Sequence, residues 1–281
     1  MSIAIVTDST SDLPYPPPGD ENIYVVPNII IIDGQDYEDN KSITREEFYT
    51  RLPQMKSLPT TATASSGSYI KLYEKLFQQG VSHIISIHPS SLLSGIFNAA
   101  SAAAQAFGQA VHVIDSQQVT LGLGFQALEA FEALKRGLSL EKIIDCINDV
   151  RRRVHVVAML DTLEYLQRSG RVSWARARIG AFLNLKPMVE IRDGKVLSLG
   201  EVRSRTKGIN RLLEMIYSLA PLERLAILHT NAEAEARQFL DNLNFKLATA
   251  PMIVNVTTII GTHAGPNCLG FAIVQSNPSA K

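Results

Sequence analysis

Short β-branched and aliphatic runs alternate with stretches of helical spacing along the whole chain, and this alternation most constrains the fold. Residues 3–7, 83–87, 111–115, 154–160, 225–229, 252–258 and 270–274 read as strands, and 23–32 as an extended apolar run interrupted by Pro27. Tyr69, Leu72, Tyr73, Leu76 and Phe77 hold helical spacing, with Gly80 at the position of a C-terminal cap. Thr44-Arg45-Glu46-Glu47 fits a capping box that opens a short helix. Further helical patterns cover about 94–107, 119–137, 139–153, 161–168, 204–219 and 232–243, and prolines at 14, 16, 17 and 18 mark a loop. The Asp193-Gly194 pair between two apolar runs is a hairpin signal. Strands spaced by helices of this length predict an α/β fold with partly parallel sheets. The pattern restarts after Arg153, so we expect two α/β domains, 1–155 and 156–281, each a sheet flanked by helices.

Charge excludes one large class of function. The 281 residues carry 27 basic and 27 acidic side chains, whereas a protein held to nucleic acid by phosphate neutralisation needs a basic excess. Between Leu76 and Ile114 there is no charged residue, yet serines, glutamines, histidines, Pro89 and Asn98 interrupt the run, so it does not span a bilayer. Cys146 and Cys268 show no CxxC spacing, and the N-terminus lacks the basic start and apolar run of a signal peptide. The expectation is a cytoplasmic protein with no integral membrane segment.

The sequence holds no GxxxxGK[ST], no GxSxG and no HExxH. Gly122-Leu-Gly124-Phe-Gln-Ala127 satisfies GxGxxA on paper, but it does not open directly at a strand end and Asp145 falls inside a helix; it reads as a close-packed helix start. Hydroxyls collect where strands end: Thr7-Asp8-Ser9-Thr10, Thr60 to Gly67, His88 to Gly95, Thr230, and Thr258 to Pro266. Ligands of open α/β sheets bind beyond the carboxyl ends of strands, where hydroxyls and helix N-termini suit a carboxylate or phosphate. The same serines and threonines serve equally as N-caps. His263, inside Gly261-Thr-His-Ala-Gly-Pro266, has glycines that allow close approach of a ligand, and no second ligand at metal spacing. Residues 168–178 hold four arginines and the only tryptophan, which suits an anion-facing or partner-facing loop as well as a solvated helix face.

These motifs resemble the DegV family. IAIVTDSTSDLP at the start, VVPNIIIIDGQDYEDNKSITREEFY, SSLLSGIFNAA, VHVIDSQQVTLGLG, LEYLQRSGRVS and GTHAGP follow one another in the family's order along almost the whole chain. The resemblance implies a two-domain α/β protein that binds a long-chain fatty acid at the domain interface. It also implies the role of the acyl-binding subunit of a bacterial fatty-acid kinase. Such a subunit has no cofactor of its own and is not catalytic alone; ATP and Mg sit on the separate kinase subunit, which phosphorylates the carboxylate.

Carried over residue by residue, the family's TSQPS falls on Thr61-Ala62-Thr63-Ala64-Ser65 and its SGTY on Ser94-Gly95-Ile96-Phe97. GGRIS falls on Ser169-Gly170-Arg171-Val172-Ser173, and HTGPG on His263-Ala264-Gly265-Pro266-Asn267. The implied carboxylate ligands are Thr61, Ser94, Gly95 and His263, with Arg171 near phosphoryl transfer. Ala62-Thr63-Ala64, Ile96-Phe97 and Asn267 depart from the family pattern. The uncharged 76–114 region supplies the expected acyl-chain lining, Leu92, Leu93, Ile96 and Phe97. Two alternatives stand beside this reading: a stand-alone hydrolase or phosphotransferase using His263, and a lipid-sensing regulator without a kinase partner.

Overall fold

The computed structural model describes residues 2–14, 22–176, 185–245, 247 and 249–277; the prolines at 16, 17 and 18 and Arg178 lie outside them. The first strand, Ile3–Asp8, is buried at every position, as its unbroken run of apolar and small residues requires of a strand covered on both faces. It belongs to a four-stranded parallel sheet ordered Ile23–Val26, Ile3–Asp8, His83–His88, Val111–Asp115. One face packs on the helices Ser66–Gln78 and Ile96–Ala104 through Tyr73, Leu76, Ala100 and Ala103. The other packs on Thr120–Lys135 and Leu140–Arg153 through Leu121, Phe125, Ile143 and Ile147.

A second sheet has six strands in the order Lys195–Val202, Lys186–Arg192, Val154–Met159, Leu269–Gln275, Leu222–His229, Met252–Asn255. Only its last pair is parallel. Its outer face meets the helices Arg205–Ser218 and Glu233–Asp241 through Leu212, Ile216, Ala236 and Phe239. The inner face adds Val156, Ile191, Ala226, Leu228 and Ala272 to the cluster that holds Ile85 and Leu121, so the two sheets share one core.

Pro27 does more than interrupt the 23–32 run. It has no N–H for a ladder, and the chain splits there into Ile23–Val26 of the first sheet and Ile29–Ile32 of a separate antiparallel sheet. That small sheet is completed by Gln35–Glu38 and Thr60–Ala62, strands too short to show a period in the sequence.

Local signals formed as their chemistry requires. Thr44 Oγ1 accepts from Glu47 N at 3.1 Å and opens the helix Arg45–Arg51. Ser139 caps Leu140–Arg153, and Gly80 has φ +89°. At the hairpin tip Asp193 and Gly194 have φ +50° and +74°, the left-handed pair of a type I′ turn. This tip docks on the first sheet's loops: Ser90 Oγ donates to Gly194 O at 2.7 Å and Gln118 Nε2 to Ile191 O at 3.2 Å. A Cβ at Gly122 would lie 2.6 Å from Val156 Cγ2, and one at Gly124 2.4 Å from Ser11 O. Those glycines therefore serve helix packing against neighbouring chain. No helix among the described residues is long and apolar enough to cross a membrane.

Candidate functional site

Thr61 and His263 meet from opposite parts of the chain. Thr61 pairs with Ile30 in the small sheet, and His263 lies on the helix Thr258–Ala264. Thr61 Oγ1 stands 3.3 Å from His263 Nε2. The helix is pinned at its start. Thr257 N donates to Asp12 Oδ1 at 2.7 Å, Thr258 Oγ1 donates to Asp39 Oδ1 at 2.7 Å, and Thr257 Oγ1 donates to Asp39 Oδ2.

Two sequence expectations about this segment are corrected. Residues 252–258 read as one strand, but the strand ends at Asn255 and His263 sits on a helix. The glycines flanking His263 make room for tyrosines, not for a ligand. A Cβ at Gly261 would fall 2.2 Å from Tyr49 Oη, and one at Gly265 2.3 Å from Tyr165 Cδ2.

Thr61, Ser94, His263 and Arg171 line one cavity of about 170 Å³. A single water needs roughly 10–15 Å³ by the same kind of measure, so the space suits a sizeable ligand. Thr10, Thr120, His229 and Thr230 also reach it, but its walls are mainly aliphatic: Leu93 and Val119 on one side, Ile259 and Ile260 of the His263 helix, and the inner face of the six-stranded sheet. Val196, Ile191, Val156, Gly270 and Leu228 contribute from five adjacent strands. Neighbouring strands stand 4.7–4.9 Å apart, which makes that width about 19 Å.

The remaining expected site residues fall differently. Ser94 is half-buried, and its Oγ accepts from Ile96 N at 3.3 Å, which leaves the hydroxyl hydrogen free for a ligand. Gly95 is exposed and caps the helix Ile96–Ala104 without lining the cavity. Of the four residues expected along the acyl chain, Leu93 alone lines the cavity. Leu92 is 61% exposed beside the hairpin tip, Ile96 is buried among Ala4, Val6 and Tyr69, and Phe97 is half-buried away from the cavity. The physical reason is helix phase: Ile96 faces the first sheet's core, while the cavity takes the loop before the helix. Ala62 ends its strand, Ala64 is buried, and Thr63 reaches over Gly95. Asn267 has φ +59°, a conformation asparagine tolerates better than most residues.

Electrostatics favour an anion. Burial, then the Arg171 guanidinium, pushes the His263 pKa down to about 4, so its imidazole is neutral near pH 7. Its Nδ1 is buried with no hydrogen-bond partner. Arg171 is exposed, with Nη1 donating to Ser169 O at 2.6 Å. A carboxylate here would meet hydroxyls, an imidazole and a nearby positive charge, the stronger, charge-assisted class of hydrogen bond. Among the described residues no group of three or more His, Cys, Asp or Glu converges on a metal position.

A second constellation was not legible in the sequence. Asp8 Oδ2 lies 2.7 Å from His88 Nδ1, His88 Nε2 2.7 Å from Ser86 Oγ, and Ser86 Oγ 2.8 Å from Tyr73 Oη. All four side chains are fully buried and none lines the cavity, so no substrate reaches Ser86. The alternation of strand side chains hid it: Ser86 and His88 project to one face of their strand, and Asp8 meets them from its neighbour.

Comparison with known proteins agrees with this architecture. A family model described as an uncharacterised protein of the DegV family matches residues 2–276. A DegV domain-containing protein of Listeria innocua is 33% identical over 274 residues, covering 96% of this chain and 97% of its own. A DegV family protein of Thermus thermophilus, whose solved structure is described for fatty acid binding, is 32% identical with a TM-score of 0.89, over 98% of this chain and 99% of that one. The solved structure of DegV from Bacillus subtilis, described as a fatty acid binding protein, gives 32% identity and a TM-score of 0.86, again over 98% and 99%. The family model, the relatives and the shared fold thus lead to one conclusion: the chain belongs to the DegV family.

Proposed function

We propose that this protein binds a long-chain fatty acid, with the carboxylate at Thr61, Ser94 and His263 and the acyl chain along the inner face of the six-stranded sheet. The observation that carries this reading is the mainly aliphatic cavity lined by the Thr61–His263 pair, Ser94 and Arg171. Each methylene moved out of water contributes about 0.8 kcal/mol, so a long chain offers on the order of 10 kcal/mol. The width across five strands matches an extended chain of common length. Fatty acid binding by the Thermus and Bacillus relatives supports the same ligand class.

The bound carboxylate would be presented to a separate ATP-dependent kinase subunit that supplies ATP and Mg. This chain's own contribution is positioning: Thr61 and Ser94 hold the carboxylate oxygens, and exposed Arg171 stands where a phosphoryl group arrives. A hydrolase built on His263 would need a group orienting the imidazole, and Nδ1 has none among the described residues. We expect mass spectrometry of the organic extract of purified protein to find a stoichiometric long-chain fatty acid. Protein that neither carries nor takes up any fatty acid refutes the reading. The kinase step is checked by acyl-phosphate formation with the kinase subunit of the same cell, and absence of product with lipid-loaded protein refutes that part alone.

A further inference from the structure

We infer that Asn28, which does not touch the cavity, is the positioning residue for its carboxylate-binding end; the inference rests on the fatty-acid reading. Asn28 is fully buried where the chain passes from the first sheet to the small one. All four of its polar groups are engaged. Nδ2 donates to Asp8 Oδ1 at 2.9 Å, Oδ1 accepts from Ala64 N at 3.2 Å, the backbone N donates to Ser9 Oγ at 3.2 Å, and the backbone O accepts from Asp39 N at 2.9 Å.

Two of these bonds lead to the two halves of the Thr61–His263 pair. Ala64 belongs to the segment that follows the Thr61 strand. Asp39, fixed through its amide, holds the Thr257 and Thr258 hydroxyls at the start of the His263 helix. One buried residue therefore sets where the strand and the helix stand relative to each other. Only an amide fits this place. Asp8 Oδ1 already accepts from Thr10 N at 3.0 Å and from Thr10 Oγ1 at 2.5 Å, so position 28 must bring a donor to it. The other end must then accept from the Ala64 N–H. Aspartate would set oxygen against oxygen, and leucine would leave the Asp8 and Ala64 groups unsatisfied.

The test measures displacement of cis-parinaric acid by palmitic acid and by methyl palmitate, with urea unfolding as the control for the fold. The wild type should prefer the acid, whose carboxylate uses Thr61 and His263. In Asn28→Ala the acid should lose about tenfold or more in affinity while the ester is unchanged, so the preference disappears. Asn28→Ser retains a small hydrogen-bonding group but is too short to span from Asp8 to Ala64. It should show the same selective loss, and it serves where the alanine variant does not fold. Retained acid preference in a folded variant overturns the inference, as does an equal loss for both ligands. Failure of the wild type to bind either ligand refutes the fatty-acid reading itself, before any substitution is made.

Discussion

Asp12 and His263 titrate in opposite directions across one pH window, and substituting either should expose the other. Asp12 is fully buried, with Thr257 N at 2.7 Å and Arg45 Nη1 at 3.1 Å. Burial outweighs the arginine and raises its pKa from 3.8 to about 6. His263 moves the other way, from 6.5 to about 4. A raised aspartate favours the folded state below the unfolded pKa, and that stability is lost as pH climbs through 6. A lowered histidine favours the folded state above 6.5, and its contribution is lost as pH falls through 4. At about 1.36 kcal/mol per pH unit, each effect is on the order of 3 kcal/mol, so in the wild type they nearly cancel between pH 4 and 6.5. Asp12→Asn keeps an acceptor for Thr257 and should gain about 3 kcal/mol of stability relative to wild type as pH rises through the window. His263→Gln should lose a similar amount over the same range. Urea unfolding at several pH values checks this, and the difference from wild type removes the shared effect of other carboxylates. Parallel profiles for all three proteins would refute the reasoning.

Thr61→Ala or Ser94→Ala should weaken fatty acid binding by about 1–3 kcal/mol, measured by ligand displacement, because a buried carboxylate loses a donor. Leu93→Ala should weaken binding by about 1–2 kcal/mol, whereas exposed Leu92→Ala should leave it unchanged in the same assay. Gly261→Ala should destabilise the fold by about 1–3 kcal/mol in urea unfolding, since its new methyl would meet the Tyr49 ring. Arg171→Ala should retain lipid in the organic extract yet lose kinase-dependent acyl-phosphate formation; lost lipid with an intact fold would place Arg171 on the carboxylate instead.

Elements with a clear period or cap were legible before any coordinates. The buried strand at Ile3–Asp8, the Ser139-capped helix and the Asp193-Gly194 hairpin are examples, because their signals are local. The three-residue strand that carries Thr61 was not, since it exists only by pairing with Ile29–Ile31. The glycine argument for His263 was misplaced: those glycines are shaped by Tyr49 and Tyr165, contacts that no spacing encodes. Ile96 joins the first sheet's core instead of the cavity wall because an apolar residue on a helix faces whichever core its phase selects. Asn28 and Asp39 carried no signal, as their importance lies in hydrogen bonds to distant segments.

The Tyr73–Ser86–His88–Asp8 chain puts a serine–histidine–aspartate succession wholly inside the core. Serine, histidine and aspartate in hydrogen-bonding succession at the carboxyl edge of a parallel sheet is an arrangement that esterases turn toward substrate. Here Tyr69 closes over the imidazole edge-on, with ring centroids 5.1 Å apart, and the serine faces protein on every side. With Ser86 Oγ also bonded to Tyr73 Oη, the succession acts as a buried polar clamp between two neighbouring strands and a helix. Removing any one member would leave its neighbours buried without a partner, so the consequence of this chain is rigidity: its loss would be felt as a loosened sheet edge beneath the Asp8–Asn28 contact.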